Sequence, residues 1–118
     1  MPTPFDDTIT GTPLADLIAL QEGDDIFEGL EGNDTADGEA GNDILKGDGG
    51  DDWLKGGIGN DTLEGGAGDD WLQGEEGDDV IYTASSGGNA CGSDTAEGGA
   101  GNDWIDRKST RLNSSHVF

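Results

Sequence analysis

Aspartate stands at Asp7, Asp16, Asp25, Asp34, Asp43, Asp52, Asp61, Asp70 and Asp79, nine times at an unbroken step of nine. So short and strict a period describes a stack of like units, each too small to bury a face alone. The neighbours keep the same beat. Glycine stands two residues before the aspartate, from Gly23 through Gly32, Gly41, Gly50, Gly59 and Gly68 to Gly77. It stands five residues before it at Gly29, Gly38, Gly47, Gly56, Gly65 and Gly74. Two residues after the aspartate the position is apolar: Ile9, Ile18, Phe27, Ala36, Leu45, Leu54, Leu63, Leu72 and Ile81. Each unit therefore reads as a glycine-rich turn ending in Asp, then a three-residue strand whose middle side chain points inward. Glycine suits that turn because it accepts positive φ and lets backbone carbonyls converge with no Cβ in the way. No helix-period pattern competes over this span.

The register breaks once. From Asp79 the next matching aspartate is Asp94, a step of nine lengthened by six, after which Asp103 resumes the period with Gly101, Gly98 and Ile105 in their places. The stretch Thr83 to Gly92 reads as an inserted loop. At the start of the chain Phe5 and Leu14 replace the second glycine, so residues 1–19 read as degenerate cap repeats that close the apolar interior. Regular repeats then fill 20–82, the loop 83–92, and resumed repeats 93–106.

Charge decides which partners such a stack can have. Asp and Glu take 27 of 118 positions against 5 Lys and Arg, a formal charge of -22, and only 31% of the chain is apolar. Such a chain repels itself and stays unfolded unless a bound cation supplies the missing positive charge. Nucleic acid is argued against, because phosphate binding needs a basic footprint, and anionic membrane surfaces for the same reason. The most apolar run, LADLIAL from Leu14 to Leu20, is interrupted by Asp16. It is too short to span a bilayer or to form a secretory signal core. The single cysteine, Cys91, reads as an incidental loop thiol and leaves the redox compartment open.

The phrases GLEGNDTAD, GEAGNDILK, GDGGDDWLK, GGIGNDTLE, GGAGDDWLQ, GEEGDDVIY and GGAGNDWID resemble the RTX, or hemolysin-type, calcium-binding nonapeptide G-G-x-G-x-D-x-U-x. The resemblance covers about residues 20–106, with a weaker lead-in from residue 5. It implies an all-β fold, a right-handed parallel β-roll with two nonapeptides per turn, so that loops eighteen residues apart stack on one edge. One edge then carries Asp25, Asp43, Asp61 and Asp79, and the other Asp16, Asp34, Asp52 and Asp70. It implies calcium held between stacked loops by backbone carbonyls of the turn, at Gly29, Gly38, Gly47, Gly56, Gly65 and Gly74, and by the sixth-position carboxylates. Asn33, Asn42, Asp51, Asn60, Asp69 and Asp78, in position five, can add a side-chain oxygen. Five loop pairs follow: 25 with 43, 34 with 52, 43 with 61, 52 with 70, and 61 with 79. The insertion leaves two more, Asp70 with Asp94 and Asp79 with Asp103, open, giving about five sites and up to seven.

The donor chemistry agrees with the resemblance. Calcium takes six to eight hard oxygens at roughly 2.3–2.6 Å and mixes carboxylates with carbonyls, whereas magnesium demands a tighter octahedron. Zinc lacks its usual ligands, since Cys91 and His116 stand alone. No EF-hand loop between helices is present. Asp and Gly also form turns without metal, but turn chemistry does not explain acids piled along one edge, where they repel. Folding is therefore expected to be conditional on calcium.

Outward residues form ladders at the same spacing: Trp53 over Trp71 on one sheet, and Ile26, Ile44, Thr62, Val80 and Trp104 on the other. Aromatic and β-branched rows stabilise strands, and they offer a surface to a sugar or a partner domain. Lys46 falls between Glu28 and Glu64, and Lys55 between Asp37 and Gln73, where they relieve repulsion. The repeats contain no histidine and no nucleophile set beside a base, so no catalytic constellation is expected.

After Asp106 the composition flips. The run DRKSTRLNSSH, Asp106 to His116, holds three of the five basic residues, and without residues 107–118 the repeats carry 27 acids against two lysines, -25. A basic tail that binds an acidic partner, or the repeats themselves, is one reading; the other is that Asp106 to His116 resembles the conceptual translation of a common sequencing adapter, so that residues 107–118 are a non-native or disordered tail and, on that reading, the natural chain continues. The family resemblance further implies secretion from bacteria through type I machinery that reads an uncleaved C-terminal signal. The chain is thus expected to be a secreted, extracellular calcium-binding module joined to an unseen remainder of the protein. Two alternatives are an adhesion or partner-binding structural module, and the repeat portion of a secreted hydrolase or toxin whose active domain lies elsewhere.

Overall fold

The computed structural model describes residues 5–83 and 94–106. The described residues form eleven strands and no helix: β1 Thr8–Thr10, β2 Leu17–Ala19, β3 Ile26–Glu28, β4 Thr35–Asp37, β5 Ile44–Lys46, β6 Trp53–Ile58, β7 Thr62–Glu64, β8 Trp71–Glu76, β9 Val80–Tyr82, β10 Thr95–Glu97 and β11 Trp104–Asp106. Every ladder is parallel. The odd-numbered strands make one six-stranded sheet, and the even-numbered strands a five-stranded sheet. Consecutive strands thus alternate between two sheets, and each pairs with the strand one full turn away, as in Ile26 with Ile44 and Trp53 with Trp71. The chain is a β-solenoid with two nonapeptides per turn.

A strand of three residues can aim only its middle side chain inward, so the core is one file of side chains per sheet. Phe27, Leu45, Leu63 and Ile81 supply one file, and Ala36, Leu54 and Leu72 the other, all fully buried. Ile9, Ile18, Ala96 and Ile105 pack against the two ends. Leu20 is buried as well, from the position that glycine fills in later units. Phe5 and Leu14 are exposed.

Two features depart from the sequence expectation. Strands β6 and β8 run six residues rather than three, because Gly57 pairs with Glu75 and Ile58 with Glu76. The bridges Glu22 to Ala40, Ala40 to Ile58, and Glu76 to Ala100 carry that third turn position along the whole edge. Backbone pairing therefore continues through the turn, which satisfies polar groups that a free loop would leave to water.

Across the insertion, β10 pairs with β8 and β11 with β9, with partners 24 residues apart. The six additional residues are absorbed between Thr83 and Asp94, and the stack resumes in register. The expected loop lies outside the described residues apart from Thr83, as do Cys91 and residues 107–118. Thr83 itself is buried, its N–H donating to the Asp106 carbonyl at 3.1 Å.

Candidate metal centre

The sixth-position aspartate ends each turn, and its two carboxylate oxygens face different surroundings. Oδ1 accepts a hydrogen bond from the backbone N–H of the aspartate one turn earlier. Asp25 donates to Asp43 (2.8 Å), Asp34 to Asp52 (2.9 Å), Asp43 to Asp61 (2.8 Å), Asp52 to Asp70 (2.9 Å) and Asp61 to Asp79 (2.8 Å). The ladder crosses the insertion intact, with Asp70 donating to Asp94 and Asp79 to Asp103 at 2.9 Å each. It begins with Asp7 to Asp25 and Asp16 to Asp34. Asp61 and Asp70, neighbours in the repeat, thus belong to different ladders on different edges.

Oδ2 lies in different surroundings. In Asp25, Asp34, Asp43, Asp52, Asp61, Asp70 and Asp79 this oxygen is buried and has no hydrogen-bond partner. The residues are no more than 3% exposed. Burial pushes their carboxyl groups above the usual carboxylate range, with neighbouring aspartates adding to the rise at most positions and the backbone N–H on Oδ1 opposing it. Asp61 is pushed up to about 6, Asp43, Asp70 and Asp79 to about 7, and Asp52 to about 8, while Asp25 and Asp34 are raised too. A buried ionised oxygen without counter-charge is costly. Among the described residues, the ion pairs of Lys55 go to Asp37 (3.7 Å) and Glu75 (3.9 Å) on the surface and leave these buried oxygens unmatched.

The first-position glycines Gly29, Gly38, Gly47, Gly56, Gly65 and Gly74 are all buried, and the room beside them shows why no side chain stands there. A Cβ at Gly65 would lie 2.6 Å from Asp70 Oδ2 and 3.0 Å from the Thr83 carbonyl. At Gly38 it would overlap Asp43 Oδ2 and lie 2.6 Å from the Gly56 carbonyl. A carboxylate oxygen of one turn and a carbonyl oxygen of the next thus face a common space. Among the described residues no three Asp, Glu, His or Cys side chains gather into a self-sufficient metal cage. An ion here would have to draw on backbone oxygens as well, which suits a hard, flexible cation such as calcium and does not suit zinc. The residues present fit calcium on the chemistry of that donor set.

Position five forms a second ladder that runs the opposite way. Its side-chain Oδ1 accepts from the backbone N–H one turn later: Asn33 from Asp51, Asn42 from Asn60, Asp51 from Asp69, Asn60 from Asp78, and Asp78 from Asn102, at 2.8–2.9 Å. Asn33, Asn42, Asp51, Asn60, Asp69 and Asp78 are exposed. Asn and Asp interchange there because each presents the one oxygen the backbone needs. Asp94 and Asp103 are half-buried at the far end of the stack.

Periodicity alone does not reveal the backbone at position two. Gln21, Leu30, Glu39, Asp48 and Glu75 hold φ between 67° and 78°, beside Gly57, Gly66 and Gly99 in the equivalent places. The signal for it is the doubled glycine of the nonapeptide, which marks a left-handed turn residue that this chain fills with side chains in five units.

A family model described as the RTX calcium-binding nonapeptide repeat (4 copies) matches residues 3–36, 21–54, 28–63, 55–85 and 92–106. No curated protein matches the chain significantly.

Proposed function

The chain belongs to the RTX calcium-binding nonapeptide repeat family, and we propose that each calcium ion sits between two loops one turn apart and completes the fold. The sixth-position carboxylates Asp25, Asp34, Asp43, Asp52, Asp61, Asp70 and Asp79 would hold the ions through Oδ2. Carbonyls of the glycine-rich turns would serve beside them, and position five would contribute where its second atom allows. The observation that carries this reading is the row of seven buried carboxylate oxygens with no partner. A calcium ion supplies two positive charges to a space walled by oxygen, and here it would offset the repulsion within a chain of charge -22.

The pairing across the insertion supports counting 70 with 94 and 79 with 103 beside the five regular pairs, which gives seven sites. Because the binding oxygens converge only when the turns are stacked, binding and folding form one equilibrium. Release into a calcium-rich extracellular space would then set the moment of folding, with the module serving as a structural part of a secreted bacterial protein. Calorimetric titration of the calcium-free chain, followed in parallel by circular dichroism, tests this. Strand signal should rise together with calcium uptake, and a full strand signal in calcium-stripped buffer at neutral pH would refute it.

A further inference from the structure

The outer face of the five-stranded sheet carries a row of side chains at one rung per strand: Leu17 on β2, Thr35 on β4, Trp53 on β6 and Trp71 on β8, in register. Trp53 and Trp71 stack with ring centroids 5.0 Å apart and planes 8° from parallel. That separation is close to the spacing of neighbouring strands, about 4.8 Å, so the aromatic stack follows the sheet. At the next rung the row narrows to Thr35, and beyond it Leu17 stands 82% exposed. A cavity of about 490 Å³ occupies this gap, lined by Leu17, Ala19, Thr35, Asp37, Trp53 and Lys55. Its size lies within the range of small-molecule sites.

One face of the Trp53 indole is covered by Trp71, and the other looks along the row over Thr35. Leu17 forms the opposite wall two strands away, roughly twice the strand spacing. That width admits a single ring lying parallel to the indole, as one more member of the stack. The edge of the gap is polar: the Thr35 side chain forms the floor, and the Asp37 and Lys55 ion pair (3.7 Å) sits at the side. Trp53 is held in place by its indole N–H, which donates to Gln73 Oε1 at 3.0 Å.

We propose that this gap is a binding site for a neutral pyranose ring. A sugar presents a flat C–H face to an aromatic platform and hydroxyl groups that can donate to Asp37 and accept from Lys55. Neutrality follows from charge, because the chain, at -22 without calcium, stays net negative with seven divalent ions bound and repels anionic ligands. The proposal goes beyond calcium binding and uses outward residues that the calcium sites do not require.

The test titrates the full chain, in saturating calcium and with its strand signal verified, with cellotetraose, maltotetraose, a tetragalacturonate and N-acetyltryptophanamide. Tryptophan fluorescence and calorimetry provide the readout. A saturable fluorescence change with at least one neutral tetrasaccharide is expected, with the uronate weaker by about tenfold or more. Thr35→Trp fills the rung between Leu17 and Trp53 and should abolish binding, Trp53→Ala should weaken it at least tenfold, and Trp104→Ala on the other sheet should leave it unchanged. No binding of either neutral tetrasaccharide, binding that survives Thr35→Trp in a folded chain, or binding of the aromatic amide in place of the sugars would each overturn the proposal. Because calcium uptake is measured separately, loss of sugar binding with calcium binding intact counts against this site alone.

Discussion

At the scale of single residues, the sixth-position aspartate divides its labour between two oxygens. Oδ1 of Asp52 accepts the Asp34 N–H, while Oδ2 stays buried and unpartnered. Asp52→Asn preserves an acceptor for that N–H and removes the charge. It should raise the calcium concentration needed for folding by about tenfold, equivalent to about 1.4 kcal/mol, as read from the midpoint of a calcium titration by circular dichroism. A midpoint equal to that of the parent chain would argue that Asp52 holds no ion. The turn backbone offers a pair of changes with opposite signs. Glu39 holds φ 69°, a region that disfavours side chains. Glu39→Gly should therefore stabilise the calcium-loaded chain, by up to about 1 kcal/mol after the added freedom of the unfolded glycine is counted. Gly59 holds φ 128°, and a Cβ there would overlap the Gly41 carbonyl and lie 3.1 Å from Asn42 Oδ1. Gly59→Ala should cost more than about 2 kcal/mol, and urea unfolding of the two variants beside the parent separates the signs.

At the scale of the element, each strand contributes one inward side chain, so its neighbours on the same strand cannot compensate for its loss. Leu54 is fully buried between Ala36 and Leu72 of the adjoining strands. Leu54→Ala would leave two alanines in succession in that file, and should cost about 2–5 kcal/mol in urea unfolding of the calcium-loaded chain. A loss under about 1 kcal/mol would mean that the file collapses around the gap. The nine-residue period by itself makes the strand positions and the inward row legible, whereas the partners eighteen apart, and with them the separation of Asp61 from Asp70, follow from the family resemblance, which implies two units per turn. A period reports which residues recur, and in a stack recurrence amounts to adjacency. It is silent on how hydrogen bonds run between the layers. The opposed directions of the position-five and position-six ladders are therefore invisible in it, as is the pairing through the turns that lengthens β6 and β8. Leu20 escapes for a different reason. It stands where the repeat calls for glycine, and only the packing shows that its side chain turns into the core.

At the scale of the whole molecule, the stack concentrates acidic groups that the chain cannot neutralise by itself, and protons and calcium become alternative means of doing so. The sign follows from linkage. In the calcium-free fold the carboxyl groups of Asp43, Asp52, Asp61, Asp70 and Asp79 are pushed up to about 6–8 from an ordinary value of 3.8. Between those values the folded chain binds more protons than the unfolded chain, so its stability is greatest below about pH 4 and is lost as pH rises through about 6–8. A calcium-stripped chain should therefore gain strand signal as pH falls from about 8 to about 5. With calcium present the dependence reverses for affinity, because each ion must displace protons from the groups that hold it. The calcium midpoint should accordingly rise as pH falls, and protons should be released on binding at about pH 6. Circular dichroism in metal-depleted buffers across roughly pH 4–9, with calorimetry in two buffers of different ionisation enthalpy, measures both effects. A calcium-free chain more structured at about pH 8 than at about pH 5 would mean that these carboxyl groups are not buried in the calcium-free folded state. A calcium midpoint that does not move with pH, together with no proton release on binding, would mean instead that the ions bind away from them.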